Sequence, residues 1–131
     1  MVIGSKIIDF RRIFSEQLSK LIENIYCKLV VNNEKLQLTY QPNIKLAKNN
    51  KTADLFWRAL KKVSDKEIQR GISLVGPHRD DFCFKINEKE IKKFGSRGQH
   101  KTVLFSLAAA EYSLIKKLTS ETPIILIDDL Y

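Results

Sequence analysis

The residues with the clearest chemical potential follow the last apolar run of the chain. Ile124–Ile127 is followed directly by Asp128 and Asp129. Four consecutive aliphatic residues predict a strand buried on both faces, and its carboxyl end would lie at the edge of a sheet where α/β proteins bind ligands. There, one carboxylate can hold Mg²⁺ and the next can orient or deprotonate an attacking water. Taken alone, the pattern also fits an ordinary strand end.

A second candidate is the glycine-containing turn Phe94–Gln99. Gly95 and Gly98 let the backbone approach a ligand closely. The free N–H groups and dipole of the helix that follows favour an anion, and Ser96 adds a hydroxyl donor. A loop with a serine cap explains the same residues. The turn lies one helix before the acidic strand, as in nucleotide-binding heads of the ABC type.

The polar stretch Gly76–Asp81 is a third candidate, because it brings His78 and Arg79 next to two carboxylates. It fits either a polar site or a structural turn. A zinc site is not predicted, because the only other histidine is His100. The two cysteines are far apart and form no C-x-x-C pair, so we interpret them as small apolar fillers.

Charge points to polyanions as partners. Lys and Arg number 23 against 15 Asp and Glu, a formal net charge of +8. This favours DNA, RNA or nucleotide phosphates, although a basic surface kept for solubility fits as well. The 44% hydrophobic content argues against disorder. No apolar run approaches the roughly 18 residues of a membrane helix, and the N-terminus lacks the layout of a secretory signal. We therefore expect a cytoplasmic protein without membrane partners.

The elements that must position these residues follow from periodicity. Apolar residues three or four apart predict one helix over about the first thirty residues. Its apolar stripe is Ile7, Phe10, Phe14, Leu18, Leu21, Ile25 and Leu29. Leu36–Tyr40 alternates like a strand, and residues 41–51 are expected to form an exposed loop. A helix would begin after Thr52 as N-cap, restart at the capping box Ser64–Glu67 and stop at Gly71.

After Gly71 the character changes. Ile72–Val75 is a short β-prone run, and Phe82–Ile86 alternates like a strand that turns back into Ile91–Phe94. A helix would run from about Gly95 to Lys117, with Leu104, Leu107, Ala108, Glu111 and Leu114 or Ile115 along one face. The final strand follows. The predicted fold class is α+β or α/β, with a soft boundary near Ile72.

Three motifs in this order resemble the C-terminal part of the RecF family of bacterial DNA replication and repair proteins, which are related to SMC heads. The motifs are Leu74–Phe82, Phe94–Thr102 and Pro123–Asp129. The resemblance is strong over Gly71–Leu130 and weaker over residues 1–70. It implies a mostly helical arm lobe at 1–71. Residues 72–131 would then be the C-terminal half of an ABC-type ATPase head, comprising strand, hairpin, signature helix and Walker B strand.

The resemblance also implies residue roles. Ser96, Gly98 and Gln99 match the ABC signature loop, which contacts the γ-phosphate of ATP bound to the opposite protomer. Asp128 matches the Walker B aspartate that supports Mg²⁺. Asp129 matches the adjacent acidic residue that polarises the hydrolytic water, the catalytic candidate. Arg97 departs from the small residue or glutamine of the ABC pattern, and His100–Lys101 stands where the family often has Gln-Arg or Gln-Lys.

For function, the resemblance implies an ATP-dependent DNA-binding protein that acts in DNA replication, recombinational repair and the SOS response. The intact parent would be a weak DNA-dependent ATPase and an ATP-dependent homodimer. Its partners would be double-stranded and gapped DNA and recombination mediator proteins. The sequence contains no G-x-x-x-x-G-K-[ST] loop, so this chain alone is expected to be inactive and to bind neither ATP nor Mg²⁺. Candidate DNA contacts are Arg11, Arg12, Lys92, Lys93, Arg97 and Lys101.

Two other functions remain open from the residues alone. The chain fits a non-catalytic DNA- or protein-binding assembly module whose long amphipathic helix docks a partner. It also fits a Mg²⁺-dependent nuclease, provided that two separated acidic pairs converge. These pairs are Asp80 with Asp81 and Asp128 with Asp129.

Overall fold

A computed structural model describes residues 2–31, 33–47, 50–119, 121–126 and 128. These form a mixture of long helices and a small sheet, in agreement with the predicted α+β class. The helices are α1 (Val2–Leu29), α2 (Thr52–Arg70), α3 (Ile91–Phe94) and α4 (Arg97–Thr119), with a 3₁₀ turn at Pro77–Arg79. The strands are β1 (Leu36–Gln41), β2 (Asp81–Ile86) and β3 (Lys89–Glu90), in the sheet order β1-β2-β3. Within the described part of the chain, no helix has the length and apolarity to cross a membrane.

The helix α1 confirms the predicted first element and the burial of Leu18, but the other buried positions are displaced by about one residue from the predicted stripe. Phe10 is 67% exposed, whereas Ile8, Ile22 and Tyr26 are fully buried. Small residues explain the shift, because Ser5 and Ser15 are also buried and allow close packing. At Gly4, an added Cβ would lie 2.6 Å from the Phe56 ring. The stripe richest in large apolar residues is therefore not the buried one.

The chain divides into two compact units. The first comprises Met1–Phe14 and Tyr40–Phe82, and the second comprises Ser15–Thr39 and Cys83–Tyr131. In the first unit, Ile8, Ile44 and Phe56 form the buried core. Ile44 belongs to the stretch predicted as an exposed loop, which is wrong at this position. The division into an arm lobe and a head half at residues 71 and 72 concerns the longer relatives and stays a prediction.

The second unit buries the inward-facing residues of β1 and one face of α4. Leu36 and Leu38 confirm the predicted alternation of β1. The buried residues of α4 are Val103, Ser106, Ala110 and Leu114. Leu104 was predicted on this face but is 65% exposed. Two small residues of α4, Ser106 and Ala110, are fully buried.

The helix α2 is continuous, so the predicted restart at Ser64–Glu67 is wrong. Glu67 instead accepts hydrogen bonds from the backbone N–H groups of Leu74 (2.6 Å) and Val75 (3.2 Å). These bonds tie the segment after the helix to the Glu67 side chain, and the predicted β-prone run at 72–75 forms no strand. The N-cap is Lys51 rather than Thr52. Gly71 ends the helix with φ of 62°, as predicted.

Glu67 gives a testable pH dependence. The hydrogen bond from the Leu74 N–H, helped by those from Val75 and Ser73, lowers the pKa of Glu67 from its usual value. A lowered pKa in the folded state means stability that is present above the unfolded value and is lost as pH falls through the folded value. Glu67→Gln should therefore lower the melting temperature at pH 7, and this difference should shrink in acid. Glu16→Gln, on the exposed side of α1, is the control. A difference that is the same at pH 7 and pH 3 would contradict this role.

The hairpin is confirmed but is shorter than predicted. Asn87 (φ 47°) and Glu88 (φ 66°) form its two-residue turn, as the right-handed strand twist requires. The return strand β3 has only two residues, with Lys85 opposite Glu90. The predicted return strand Ile91–Phe94 is wrong, because these residues form the helix α3.

The predicted buried strand at Ile124–Ile127 is wrong for residues 124–126. They form no strand, and Ile124 and Leu126 are 87% and 94% exposed. A strand needs a neighbouring strand to satisfy its backbone N–H and C=O groups. The sheet of the described residues contains only β1, β2 and β3, so nothing in it pairs with this run. Ile127 lies outside the described residues.

Candidate functional site: the loop at the start of α4

The loop before α4 is closed by two reciprocal hydrogen bonds. Ser96 Oγ accepts from the Gln99 N–H (3.2 Å), and Gln99 Oε1 accepts from the Ser96 N–H (3.0 Å). This is a capping box, which the spacing S-x-x-Q indicates. Ser96, Arg97 and Gly98 are exposed. The first N–H groups of a helix have no intrahelical acceptor, so the loop presents N–H donors beside a hydroxyl group.

The two glycines of the loop, Gly95 and Gly98, differ in the space around them. A Cβ at Gly95 would lie 2.6 Å from Ile91 Cγ2 and 2.7 Å from the Ile91 carbonyl oxygen, so a side chain is excluded there. At Gly98, a Cβ would meet nothing closer than Ser96 Oγ at 3.9 Å. Packing of the described residues therefore requires glycine at 95 but leaves space beside position 98.

Glu34 is part of this site, and sequence reasoning missed it. Gln99 Nε2 donates to Glu34 Oε1 at 3.1 Å, and the hydroxyl of Tyr26 donates to Glu34 Oε2 at 2.6 Å. Tyr26 is fully buried. Burial, followed by the neighbouring Glu34 carboxylate, raises the pKa of the Tyr26 phenol, which keeps it protonated as a donor. No motif marks Glu34, because its partners lie 8 and 65 residues away.

Four of the six candidate DNA contacts lie close together in the chain and are exposed in the second unit. They are Lys92, Lys93, Arg97 and Lys101. Lys93 pairs with Glu90 at 2.8 Å, and this pairing lowers the pKa of Glu90 and raises that of Lys93.

The other two candidates lie on α1 in the first unit. Arg12 is near Asp9, at 3.7 Å. Arg11 is held inside its unit, since its guanidinium donates to the Pro77 carbonyl (2.5 Å) and to Asp80 Oδ2 (3.2 Å).

The stretch Gly76–Asp81 contains a structural hub, which agrees with the interpretation as a turn. The Asp80 side chain is 1% exposed. Besides Arg11, it accepts hydrogen bonds from the Tyr40 hydroxyl and from the Asn43 N–H (2.8 Å). Burial, followed by the hydrogen bond to Asp80, raises the pKa of Tyr40. Gly76 has φ of 151°, which favours glycine, and His78 is exposed. The oxygens of Asp80 are thus occupied within the fold.

The acidic end of the chain is described only in part. Asp128 is exposed, and Asp129 lies outside the described residues. Among the residues that the structure describes, no group of three or more His, Cys, Asp or Glu could hold a metal ion. The nuclease alternative depends on Asp129, which lies outside the described residues, and stays a prediction.

The fold, in which a glycine-containing loop precedes α4, matches solved structures of one class of proteins, the recombination mediators. The structure of the recombination mediator protein RecF-ATP in the RecFOR pathway superposes with a TM-score of 0.84 at 27% identity, covering 97% of this chain and 34% of that chain. A second RecF structure from the same pathway gives a TM-score of 0.85 at 26% identity.

Sequence comparison leads to the same family. The DNA replication and repair protein RecF of Acetivibrio thermocellus is 35% identical over 98% of this chain and 36% of its own length. That of Staphylococcus carnosus is 38% identical over 94% of this chain and 34% of its own length. No protein-family profile matches. The resemblance to RecF is thus confirmed over nearly the whole chain, which spans about a third of the length of these relatives.

Proposed function

We propose that this chain is the signature-loop side of a RecF-type, ATP-dependent DNA-binding protein of DNA replication and recombinational repair. The observation that carries the proposal is the loop of Ser96–Gln99. It presents a hydroxyl group and unpaired helix N–H donors at an exposed edge, a combination suited to a phosphate group. The similarity to RecF bound to ATP supports this interpretation.

Each residue of the loop has a distinct role in this proposal. The Ser96 hydroxyl keeps its proton available while its oxygen accepts from the Gln99 N–H. The backbone N–H groups of Arg97 and Gly98, at the positive end of the helix dipole, would donate hydrogen bonds to the γ-phosphate of ATP held by a second protomer. Glycine at 98 removes the Cβ that would stand between backbone and phosphate, and the open space there supports this role. ATP would then bridge two copies of the intact protein.

Asp128 and Asp129 would act on the ATP bound to the same protomer, not on the ATP contacted by the signature loop. Asp128 supplies one carboxylate, which fits Mg²⁺ because this ion is usually held by one or two carboxylates together with phosphate oxygens and water. Asp129 would polarise the attacking water. When bound, Mg²⁺ neutralises charge on the phosphates. The phosphate-binding loop would come from outside this sequence, so the DNA-dependent ATPase activity belongs to the longer protein.

Further proposals follow from the relatives. The intact protein would act in the cytoplasm on double-stranded and gapped DNA, with recombination mediator proteins as partners and a contribution to the SOS response. The net charge of +8 supports a polyanionic partner. The runner-up is an assembly module that binds protein or DNA without nucleotide.

DNA binding should be strongly salt-dependent. Each exposed cation that neutralises one phosphate should contribute about −0.9 to the slope of log K against log salt. A labelled 30-base-pair duplex, titrated with the chain at several salt concentrations, measures this slope. Lys101→Ala should reduce its magnitude by about 1, as should Arg97→Ala.

The matched control is Lys66→Ala, which removes an exposed lysine from α2 in the other unit. It should leave the slope unchanged. Salt-independent binding, or equal effects of Lys66→Ala and Lys101→Ala, would contradict the proposed DNA surface. Absence of DNA binding together with nucleotide-independent protein binding would favour the assembly module.

A further inference from the structure

We propose that Glu34 is the positioning residue of the signature loop, acting through Gln99. This inference rests on the proposed function, because it concerns how the same loop is held for a phosphate group. Glu34 lies between α1 and β1, outside every motif of the sequence. Its carboxylate is the point at which the loop is joined to the buried part of the second unit.

Both the oxygen and the nitrogen of the Gln99 side-chain amide make a hydrogen bond in this arrangement. Its Oε1 atom accepts from the Ser96 N–H at 3.0 Å, and its Nε2 atom donates to Glu34 at 3.1 Å. An amide held in this way can contribute to phosphate binding without contacting the phosphate itself. We infer that Gln99 serves the nucleotide by fixing Ser96 and the N–H groups that follow it. This differs from the direct contact that the family resemblance implies.

Glu34 is itself held from two sides. The hydroxyl of Tyr26 donates to its second oxygen at 2.6 Å, and Tyr26 is fully buried and therefore a rigid anchor. The next residue is fixed to the hairpin turn, because the Lys35 N–H donates to Asn87 Oδ1 (2.9 Å) and the Asn87 N–H donates to the Lys35 carbonyl (3.1 Å). The carboxylate thus has a defined position before any ligand arrives.

The physical consequence is preorganisation. Hydrogen bonds to a carboxylate are stronger than neutral ones, so Glu34 restrains the Gln99 rotamer more than water would. The two residues also line one cleft of about 290 Å³, together with Ile86, Asn87, Lys89, Ile91, Phe94 and Gly95. Without Glu34, the Gln99 side chain gains rotamers, and phosphate binding must order the loop at an entropic cost.

The test uses two readouts on this chain and on its variants. The first is amide hydrogen exchange by NMR, which reports the Ser96 and Gln99 N–H groups separately from the rest of the fold. The second is the affinity of the labelled chain for a full-length RecF relative with ATP and without nucleotide. Glu34→Ala removes both carboxylate contacts, and Glu34→Gln keeps an amide oxygen that can accept from Gln99. Glu111→Ala removes an exposed glutamate from α4 as a matched control.

Glu34→Ala should speed exchange at Ser96 and weaken ATP-dependent binding, each by about tenfold, as expected for loss of a charge-assisted hydrogen bond. Glu34→Gln removes the charge and leaves one acceptor oxygen for two donors, so it should restore only part of both, and Glu111→Ala should change neither. If Glu34→Ala disrupts the fold, a double-mutant cycle of Glu34→Gln and Gln99→Ala replaces it. There, Glu34→Gln should add nothing once Gln99 is gone.

Unchanged exchange at Ser96 in a folded Glu34→Ala variant would overturn the positioning role, and so would faster exchange with unchanged binding. Failure of the unaltered chain to bind the relative in an ATP-dependent way would overturn the proposed function itself. The two failures are distinguishable, because only the second appears without any substitution.

Discussion

Replacing Ser96 by arginine is expected to abolish the ATP-dependent association of this chain with a full-length RecF relative. The substitution places a long side chain where the loop must approach the γ-phosphate, and it removes the oxygen that accepts from the Gln99 N–H. Both changes act at the proposed contact, so the affinity should fall by at least about 100-fold, equivalent to about 2.7 kcal/mol. Fluorescence anisotropy of the labelled chain, with ATP and without nucleotide, measures the loss.

Two variants separate blocking of the phosphate from damage to the helix. Ser96→Ala removes the cap and the hydroxyl donor without adding bulk, which should cost about 1 kcal/mol of stability and a smaller part of the affinity. Ser113→Arg introduces the same bulk and charge at an exposed position of α4 and should leave the association intact. Equal affinities of the Ser96→Arg and Ser113→Arg chains would exclude the loop as the phosphate contact.

The largest effect on stability is expected for Asp80→Ala. This side chain is almost fully buried and accepts from Arg11, Tyr40 and the Asn43 N–H. Its removal leaves the Tyr40 phenol without its acceptor and the partly buried Arg11 guanidinium with only the Pro77 carbonyl, and breaking a buried ion pair typically costs about 3–5 kcal/mol. Because Arg11 is 36% exposed, we expect the lower end, about 3 kcal/mol. Urea denaturation followed by circular dichroism measures the free energy of unfolding.

Asp81→Ala is the matched control for this prediction. Asp81 is the neighbouring residue, is exposed, and accepts one hydrogen bond from the Phe82 N–H. Its loss should cost less than about 1 kcal/mol. If the two variants unfold at the same urea concentration, the hub formed by Asp80 does not stabilise the first unit as the structure indicates.

Local signals in the sequence predicted three features that the structure confirms. The spacing of apolar residues in α1, the alternation in β1 and the glycine after α2 each depend on neighbours a few residues away, and the structure has all three. The serine and glutamine of the loop before α4 could be recognised for the same reason, since their capping hydrogen bonds join residues three apart.

Contacts between distant residues could not be predicted in this way. The buried face of α1 depends on small residues such as Gly4. The ring of Phe56, 52 residues later in the sequence, packs against Gly4. Glu67 had the spacing of a capping box, but its carboxylate is used by the turn after the helix. Glu34 had no signal, because its role depends on Tyr26 and Gln99. The last apolar run had the composition of a buried strand but no partner strand in the described sheet.

The most direct test of the central claim is hydrogen–deuterium exchange of this chain mixed with a full-length RecF relative. The loop at the start of α4 is proposed to receive the γ-phosphate of ATP bound to the partner. The backbone amides of residues 96–99 should therefore gain protection when ATP is present and lose it when ATP is omitted. Protection of other surfaces of the chain, with unchanged exchange at 96–99, would contradict the account.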